Sequence, residues 1–224
     1  MDDRRANILG AVTKGFIATG EPVSSGWLFD HYNFGIRPAM IRLELDALQD
    51  EGYLEQPHHS AGRVPSNKGY EFFTKRILEE KTSVIAAPSR TGAPAHRDIQ
   101  IFLDELSEEL GILSVAADRA RDMVYKAGLE ALIERLDWES REELRLVIRD
   151  FAAVDKYLPD AAEKMENMGE GLQVFIGKKS PVTKSDTLSV VCGNYRVGGT
   201  MVSIFAIGPK RMDYEKVIGV FRNL

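Results

Sequence analysis

The segment most informative about the fold is Tyr53-Leu54-Glu55-Gln56-Pro57-His58-His59-Ser60-Ala61-Gly62-Arg63-Val64, which is predicted to form a strand, a polar loop and a returning strand. Its first four residues alternate in polarity over a length typical of a short strand, and Val64 starts the return. Gly62 is predicted to supply a turn conformation that only glycine adopts without strain. The pattern therefore predicts a β-hairpin with a tight polar tip.

Three helices are predicted before this hairpin. The first ends at Gly20, and the second follows the capping residues Ser24 and Ser25. The third begins at Pro38, because a backbone N–H at the first helical position has no intrahelical partner and proline lacks that N–H. Apolar residues recur at helical spacing and define the buried stripes, which are Ile8, Val12 and Phe16, then Trp27, Leu28 and Tyr32, then Ile41, Leu45 and Leu48. Three helices followed by a basic hairpin is the order of a winged helix-turn-helix, which usually lays its third helix in the major groove of DNA.

A second domain is predicted after a linker. Residues 81–97 contain Pro, Ser and Gly without an apolar period, which separates a first domain at 1–80 from a second at 98–224. The second domain is predicted to be α+β, with helices covering a small sheet. Its predicted helices are 98–110, 115–136, 138–168 with an interruption at Pro159, and 214–221. Its predicted strands are 172–176, 187–192 and 200–207, the last two joined by a hairpin turn at Gly198-Gly199.

The charge of the chain limits how it can bind nucleic acid. The net charge is −5, and residues 1–80 carry nine Lys and Arg against twelve Asp and Glu. Binding through bulk positive charge is therefore excluded, and any DNA contact has to come from a local patch. Such a patch is predicted in residues 56–70, which contain no acid. The basic residues of this patch are His58, His59, Arg63 and Lys68. Two further arginines, Arg37 and Arg42, lie shortly before it in the sequence.

This sequence lacks the patterns that are characteristic of several other classes of protein. No apolar run is long enough to span a membrane and the charged start leads into no signal-peptide core, so a cytoplasmic protein is expected. Cys192 is the only cysteine, which excludes a disulfide framework and predicts a buried strand residue. No phosphate-binding glycine loop or catalytic triad occurs, and His31, His58 and His59 have no carboxylate or thiol at ligand spacing. We therefore expect no enzyme activity, no cofactor and no metal.

The hairpin and its surroundings resemble the HrcA family of heat-inducible transcription repressors. In the amino-terminal part the resemblance is carried by Glu21-Pro22-Val23-Ser24-Ser25, Ile41-Arg42, Gly52-Tyr53-Leu54, Pro57-His58-His59-Ser60-Ala61-Gly62-Arg63-Val64-Pro65 and Lys68-Gly69-Tyr70. Residues similar to the end of the family's GAF-like regulatory domain are 171–177, Leu188-Ser189-Val190, Tyr195 and Gly208-Pro209-Lys210-Arg211-Met212-Asp213-Tyr214. The resemblance implies a dimeric repressor of heat-shock and chaperone genes. It also implies an inverted-repeat operator in double-stranded DNA and a GroE chaperonin that keeps the repressor active.

The sequence departs from the family pattern in two places. Family members are considerably longer, and the missing stretch is expected between about Leu110 and Asp122. The GAF-like domain is therefore predicted to lack part of the usual sheet and the inserted dimerisation segment. The recognition helix reads Arg37-Pro38-Ala39-Met40-Ile41-Arg42-Leu43, where the family commonly has a capping Ser followed by Ala-Thr-Ile-Arg-Asn. Without that Asn the helix loses a bidentate adenine contact, which discriminates by about 1 to 3 kcal/mol, so we expect a different operator.

The predicted DNA contacts form two groups. In the third helix, the residues expected to face the major groove are Arg37, Ala39, Met40, Arg42 and Leu43. In the loop, the residues expected to contact the DNA backbone or the minor groove are His58, His59, Ser60 and Arg63. Two alternatives stay open. In the first, the winged helix would bind a protein partner through the apolar Met40 and Leu43. In the second, the GAF-like domain would bind a small molecule and the chain would act as its sensor.

Overall fold

The computed structural model describes residues 1–80, 99–135, 141–167, 171–197 and 199–224. These residues divide into two units, Met1–Arg76 and Ile77–Leu224. The predicted linker at 81–97 lies outside the described residues, and the domain limits at 80 and 98 stay predictions.

The amino-terminal unit has the element order that the sequence predicts. Its elements are α1 (Asp3–Thr19), α2 (Ser25–His31), α3 (Pro38–Asp50), β1 (Leu54–Glu55), β2 (Val64–Pro65) and the start of α4 (Asn67–Glu79). The side chain of Asp2 accepts a hydrogen bond from the backbone N–H of Arg5, and that of Ser24 accepts from Trp27, so α1 and α2 both begin at a capping side chain. Pro38 occupies the first turn of α3, as predicted.

The core of this unit forms where the three helices meet. It consists of Ile8, Leu9, Ala11, Val12, Val23, Leu28, Ile41, Leu45, Leu48 and Leu54. The predicted stripes of α1 and α3 are thus confirmed, while Phe16, Trp27 and Tyr32 are half-buried and pack against its margin. Arg5 connects α1 to α3 and to the residue directly after it, because its guanidinium lies 2.8 Å from the carboxylates of Glu44, in α3, and Glu51. The hydrogen bond to Glu44 raises the pKa of Arg5.

The second unit is a mixed helix and sheet structure. Its described helices are α5 (Ile99–Leu110), α6 (Leu129–Arg135), α7 (Arg141–Asn167) and α8 (Tyr214–Arg222). Its described strands are β3 (Leu113–Asp118), β4 (Met123–Ala127), β5 (Gln173–Ile176), β6 (Leu188–Val197) and β7 (Thr200–Pro209). They form an antiparallel sheet in the order β4-β3-β7-β6-β5. The β6–β7 hairpin ends where Val197 pairs with Thr200, and Gly199 there has a φ of 89°; Gly198 lies outside the described residues.

Helices cover both faces of this sheet. One face packs against α6 and α7 in a core that includes Val115, Val190, Phe205 and Leu158. On the other face, the Tyr214 hydroxyl at the start of α8 donates to the Ser189 hydroxyl oxygen at 2.8 Å. In the same layer α5 packs against β3 and β4. Burial on both faces explains why every residue of β3 is buried.

One expectation for this unit is wrong. The helix predicted over 115–136 is a pair of strands, β3 and β4, followed by the short α6. The interior strand β3 lies in the stretch from Leu110 to Asp122, and whether part of the family's sheet is missing there stays a prediction. A strand that is buried on both faces has no alternation of apolar and polar residues, so its periodicity does not distinguish it from a buried helix.

The predicted break at Pro159 is also wrong. Helix α7 runs through Pro159 to Asn167, and its buried residues continue on both sides of the proline, at Leu158 and Ala161. Packing against the sheet outweighs the loss of one backbone hydrogen bond. The predicted ends of this helix at Trp138 and Met168 lie outside the described residues.

Cys192 is a fully buried residue of β6, as predicted. Its Sγ lies 3.4 Å from the Met165 Sδ on α7, and burial raises the pKa of the thiol. The residue therefore serves as a small apolar group between sheet and helix.

A buried carboxylate attaches the loop before β6 to α7. Asp150 accepts hydrogen bonds from the Thr183 hydroxyl, from the Lys184 N–H at 2.7 Å and from the Ser185 N–H at 2.9 Å. Removing the carboxylate leaves the buried Thr183 hydroxyl and the part-buried Lys184 N–H without this acceptor, which is costly in a protein interior.

We expect Asp150→Ala to lower the free energy of unfolding by about 3 kcal/mol, because the orphaned donors lose their acceptor. Urea unfolding followed by circular dichroism measures the change. Asp160→Ala, which removes an exposed carboxylate from the same helix, is the control and should leave the unfolding curve nearly unchanged. Equal effects of the two variants would contradict the role of Asp150.

Candidate nucleic-acid interface

Helix α3 presents an apolar and cationic face to solvent. Its opposite face is buried through Ile41, Leu45 and Leu48. On the outer face Met40 is 47% exposed and Leu43 is 60% exposed. The other predicted contacts on this helix and its N-cap, Arg37, Ala39 and Arg42, are exposed as well. The rotation of α3 predicted from its periodicity is thus the one observed.

Three of the acids in and beside α3 are paired inside the unit, whereas the arginines of its outer face are not; Asp50, the last residue of α3, is exposed. Glu44 and Glu51 both pair with Arg5, and Asp46 pairs with Arg63. Among the residues that the structure describes, no ion pair or hydrogen bond involves the guanidinium of Arg37 or Arg42. The outer face of α3 is therefore more positive than the composition of the unit indicates.

The hairpin is fastened to the chain between α1 and α2. Val23 and Arg63 form an antiparallel bridge, in which the Val23 N–H donates to the Arg63 carbonyl at 2.9 Å and the Arg63 N–H donates to the Val23 carbonyl at 2.8 Å. This isolated bridge lies directly before β2, so it joins the chain at Val23 to the residue next to the ladder of β1 and β2. The polar loop at 57–62 is thereby held beside α2 and α3.

Gly62 is required for a reason other than the predicted one. It is absent from the glycines with positive φ, so no left-handed turn explains it. A Cβ on Gly62 would lie 2.4 Å from the carbonyl carbon of Val23 and 2.7 Å from the carbonyl oxygen of Pro22. Only glycine allows the hairpin to approach this backbone so closely.

Arg63 binds within the unit. Its Nη2 lies 2.5 Å from the Asp46 carboxylate, only 11% of its side chain is exposed, and its Nε is buried with no hydrogen-bond partner among the described residues. The side chain thus joins the hairpin to α3. The sequence alone gave no sign of this partner, because Asp46 lies far from Arg63 along the chain.

The other loop residues reach solvent. His58, His59 and Ser60 are exposed, and the Gln56 side-chain amide donates to the carbonyls of His59 and Ala61 at 3.0 Å each. Gln56 thus fixes the shape of the loop from inside. Sequence reasoning missed this role, which depends on how the loop turns back over the end of β1.

The structure brings part of the predicted site together. One cleft of about 320 Å³ is lined by Val23, Ser24, Ser25, Arg42, Leu45, Gln56, His59, Ser60, Ala61, Gly62 and Arg63. It contains four of the nine predicted contacts, from both predicted groups. The predicted contacts outside its lining are Arg37, Ala39, Met40, Leu43 and His58.

Two further properties of the described residues concern other kinds of site. Within the described ranges, no group of three or more His, Cys, Asp or Glu side chains is arranged to hold a metal ion. No helix in the part of the chain that the structure describes is long and apolar enough to cross a membrane.

An exposed helix beside a basic hairpin loop, followed by a mixed sheet unit, is the arrangement of a transcription regulator. Residues 71–218 match the family model of the HrcA protein C-terminal domain, so the chain belongs to the HrcA family of heat-inducible transcription repressors. The heat-inducible transcription repressor HrcA of Caldanaerobacter subterraneus subsp. tengcongensis is 51% identical over 181 residues, which cover 80% of this chain and 53% of the relative.

A second relative shows how the chain differs in length. The heat-inducible transcription repressor HrcA of Symbiobacterium thermophilum is 24% identical over an alignment of 331 positions, which covers the whole of this chain and 96% of the relative. Because this chain has 224 residues, a large part of that relative has no counterpart here. The fold is also similar to a crystal structure of a hypothetical protein, with a TM-score of 0.80 at 18% identity, covering 99% of this chain and 95% of that one.

We expect Gly62→Ala to break the bridge between Val23 and Arg63, because the added methyl group cannot fit against the Pro22-Val23 backbone. Amide hydrogen exchange at Val23 and Arg63 should become faster. Gly10→Ala, where a Cβ meets nothing within 4 Å, is the control and should leave both amides protected. Unchanged protection in Gly62→Ala would refute the close-approach explanation.

A double-mutant cycle on Arg63→Ala and Asp46→Ala should give a coupling free energy of about 1 kcal/mol, since the two side chains contact each other. The measurement is urea unfolding followed by Trp27 fluorescence, in a Trp138→Phe background that leaves one tryptophan in the chain. Additive effects would show that the ion pair does not couple hairpin and helix.

Proposed function

We propose that the amino-terminal unit is a winged helix-turn-helix and that the chain represses transcription by binding an inverted-repeat operator in double-stranded DNA as a dimer. The observation that carries this proposal is the outer face of α3, where two arginines without an ion pair among the described residues and two exposed apolar side chains lie beside an acid-free loop. Membership of a repressor family supports it.

The two parts of the surface have different tasks in this proposal. Helix α3 enters the major groove with Arg37, Ala39, Met40, Arg42 and Leu43 toward DNA. The loop contacts the flanking backbone through His58, His59 and Ser60. Arg63 supports these contacts chiefly by holding the loop against α3, since its guanidinium is occupied by Asp46.

The apolar residues of α3 are proposed to decide which bases are preferred. Met40 and Leu43 offer methyl and methylene groups that suit the C5-methyl group of thymine. Neither side chain donates or accepts a strong hydrogen bond, so the bidentate adenine contact of an Asn is absent. The preferred operator is therefore proposed to differ from the element that the family commonly recognises.

Two copies are needed because one unit has few cations. Each phosphate contact adds only a small increment of affinity, and an inverted repeat presents the same half-site twice. The second unit, proposed to be GAF-like with helices on both faces of its sheet, supplies the pairing. We place the repressor in the cytoplasm with the DNA it binds, and a GroE chaperonin remains the partner that the family resemblance implies.

One observation bears on the alternative of a small-molecule sensor. The cavity between the sheet and the helices α6 and α7, lined by Leu113, Leu132, Val147, Asp150, Phe151, Val154, Val182, Thr183, Leu188 and Ile207, has about 10 Å³. A cavity of this size holds at most a single water molecule. This part of the core thus offers no space for a metabolite.

We expect Leu43→Asp to abolish DNA binding without lowering stability, because the side chain is exposed and the new carboxylate would face phosphates. Selection of genomic fragments with purified full-length protein gives the preferred site, and fluorescence anisotropy on that site compares the variants. Ile148→Asp, the same change at an exposed residue of α7, is the control and should retain binding. If the unmodified protein retains no genomic fragment, the proposed function is wrong.

A further inference from the structure

We propose that the cleft between α3 and the hairpin loop is a phosphate-binding site that seats one backbone phosphate of the bound DNA, with Arg42 as its principal ligand. This inference rests on the proposed function and extends it from a surface to a defined site. The cleft has about 320 Å³ and is bordered by α3, by the loop at 56–63 and by Ser24 and Ser25 at the start of α2.

The charge of the cleft is unusual for this chain. Its lining contains the side chains of Arg42, Arg63 and His59 and no acidic residue, although acids outnumber Lys and Arg in residues 1–80. Asp46, whose carboxylate pairs with Arg63, lies outside the lining. Because Asp46 neutralises Arg63, the charge that attracts an anion into this acid-free concavity is that of Arg42.

The polar groups of the lining are suited to a tetrahedral oxyanion. Arg42 offers a planar fork of donors that has no ion pair among the described residues, which matches phosphate geometry. The hydroxyls of Ser25 and Ser60 and the ring of His59 add donors from two other parts of the chain. Arg63 also belongs to the lining, and its buried Nε has no hydrogen-bond partner among the described residues.

The contacts described above keep these groups in place. The bridge between Val23 and Arg63 holds the loop beside α2, and the ion pair between Arg63 and Asp46 holds it beside α3. Gln56 fixes the loop carbonyls of His59 and Ala61. The ligands therefore come from separate elements that are positioned before an anion arrives, which lowers the ordering cost of binding.

The location of the cleft favours a DNA phosphate over a free one. The cleft shares Arg42 with the exposed face of α3 and His59 and Ser60 with the loop, so it lies between the two surfaces proposed to contact the duplex. A strand that leaves the major groove at α3 and passes the loop crosses this position. Phosphate contacts of this kind position the protein along the duplex and add affinity, but they do not distinguish one base sequence from another.

The test measures how DNA affinity depends on salt. The full-length protein is titrated with a short duplex of arbitrary sequence at several salt concentrations, and log Kobs is plotted against log[salt]. Arg42→Gln should reduce the slope by about 0.9 for each unit that engages the duplex, the value for one lost phosphate contact. Arg4→Gln removes the same charge from an exposed residue of α1 outside the cleft and should leave the slope unchanged.

A second variant tests the cleft by adding charge. Ser60→Glu places a carboxylate at the cleft on an exposed residue, so folding should be retained, as checked by the thermal midpoint. We expect about a tenfold loss of affinity at moderate salt, because a like charge close to a phosphate is repelled even near the surface. Full affinity in this variant overturns the proposal.

The outcomes separate the two proposals. If the unmodified protein binds the duplex and Arg42→Gln behaves like Arg4→Gln, the phosphate site is wrong and the proposed function stands. If the unmodified protein binds no duplex, both are wrong. Inorganic phosphate distinguishes the source of the anion: it should displace the duplex more strongly than chloride at equal ionic strength. Phosphate that perturbs the His59 and Ser60 amides without displacing the duplex overturns the assignment to DNA.

Discussion

The surface of the amino-terminal unit depends on how Arg63 is held. Its backbone pairs with Val23 and its guanidinium pairs with Asp46, so one residue fastens the hairpin to the α1–α2 connection and to α3 together. Gly62 makes this possible because a Cβ there would collide with backbone atoms. Without this attachment the loop at 57–62 would be a flexible polar turn, and its histidines would have no defined position relative to α3.

Pairing inside the unit also explains how an acidic chain presents a basic surface. Glu44, Glu51 and Asp46 are all close to α3, yet each is paired with an arginine of another element. Arg42 of α3 and Arg37 at its N-cap remain exposed to solvent. A sum over the sequence treats all of these charges alike, whereas a binding partner meets only those that are exposed and unpaired.

The second unit follows a different principle, since its sheet is buried on both faces. Because of this burial every residue of β3 is buried, whether apolar or polar, and α7 passes through Pro159; both effects mislead reasoning from periodicity. The strands β5, β6 and β7 were predictable because glycine or proline turns border them and their residues are β-rich. Polar anchors such as Asp150 were not predictable, because their partners lie more than thirty residues away along the chain.

The order of elements in the first unit and the rotation of α3 were predictable from the sequence, because caps, turns and helical spacing are local signals. The family and the cations near the loop were also recognisable there. Which of these cations remain available depends on the fold: Arg63 has a carboxylate partner, whereas Arg42 has none among the described residues. The physical reason is that an ion pair or a close backbone approach depends on distances between segments remote in sequence, and no local pattern records those distances.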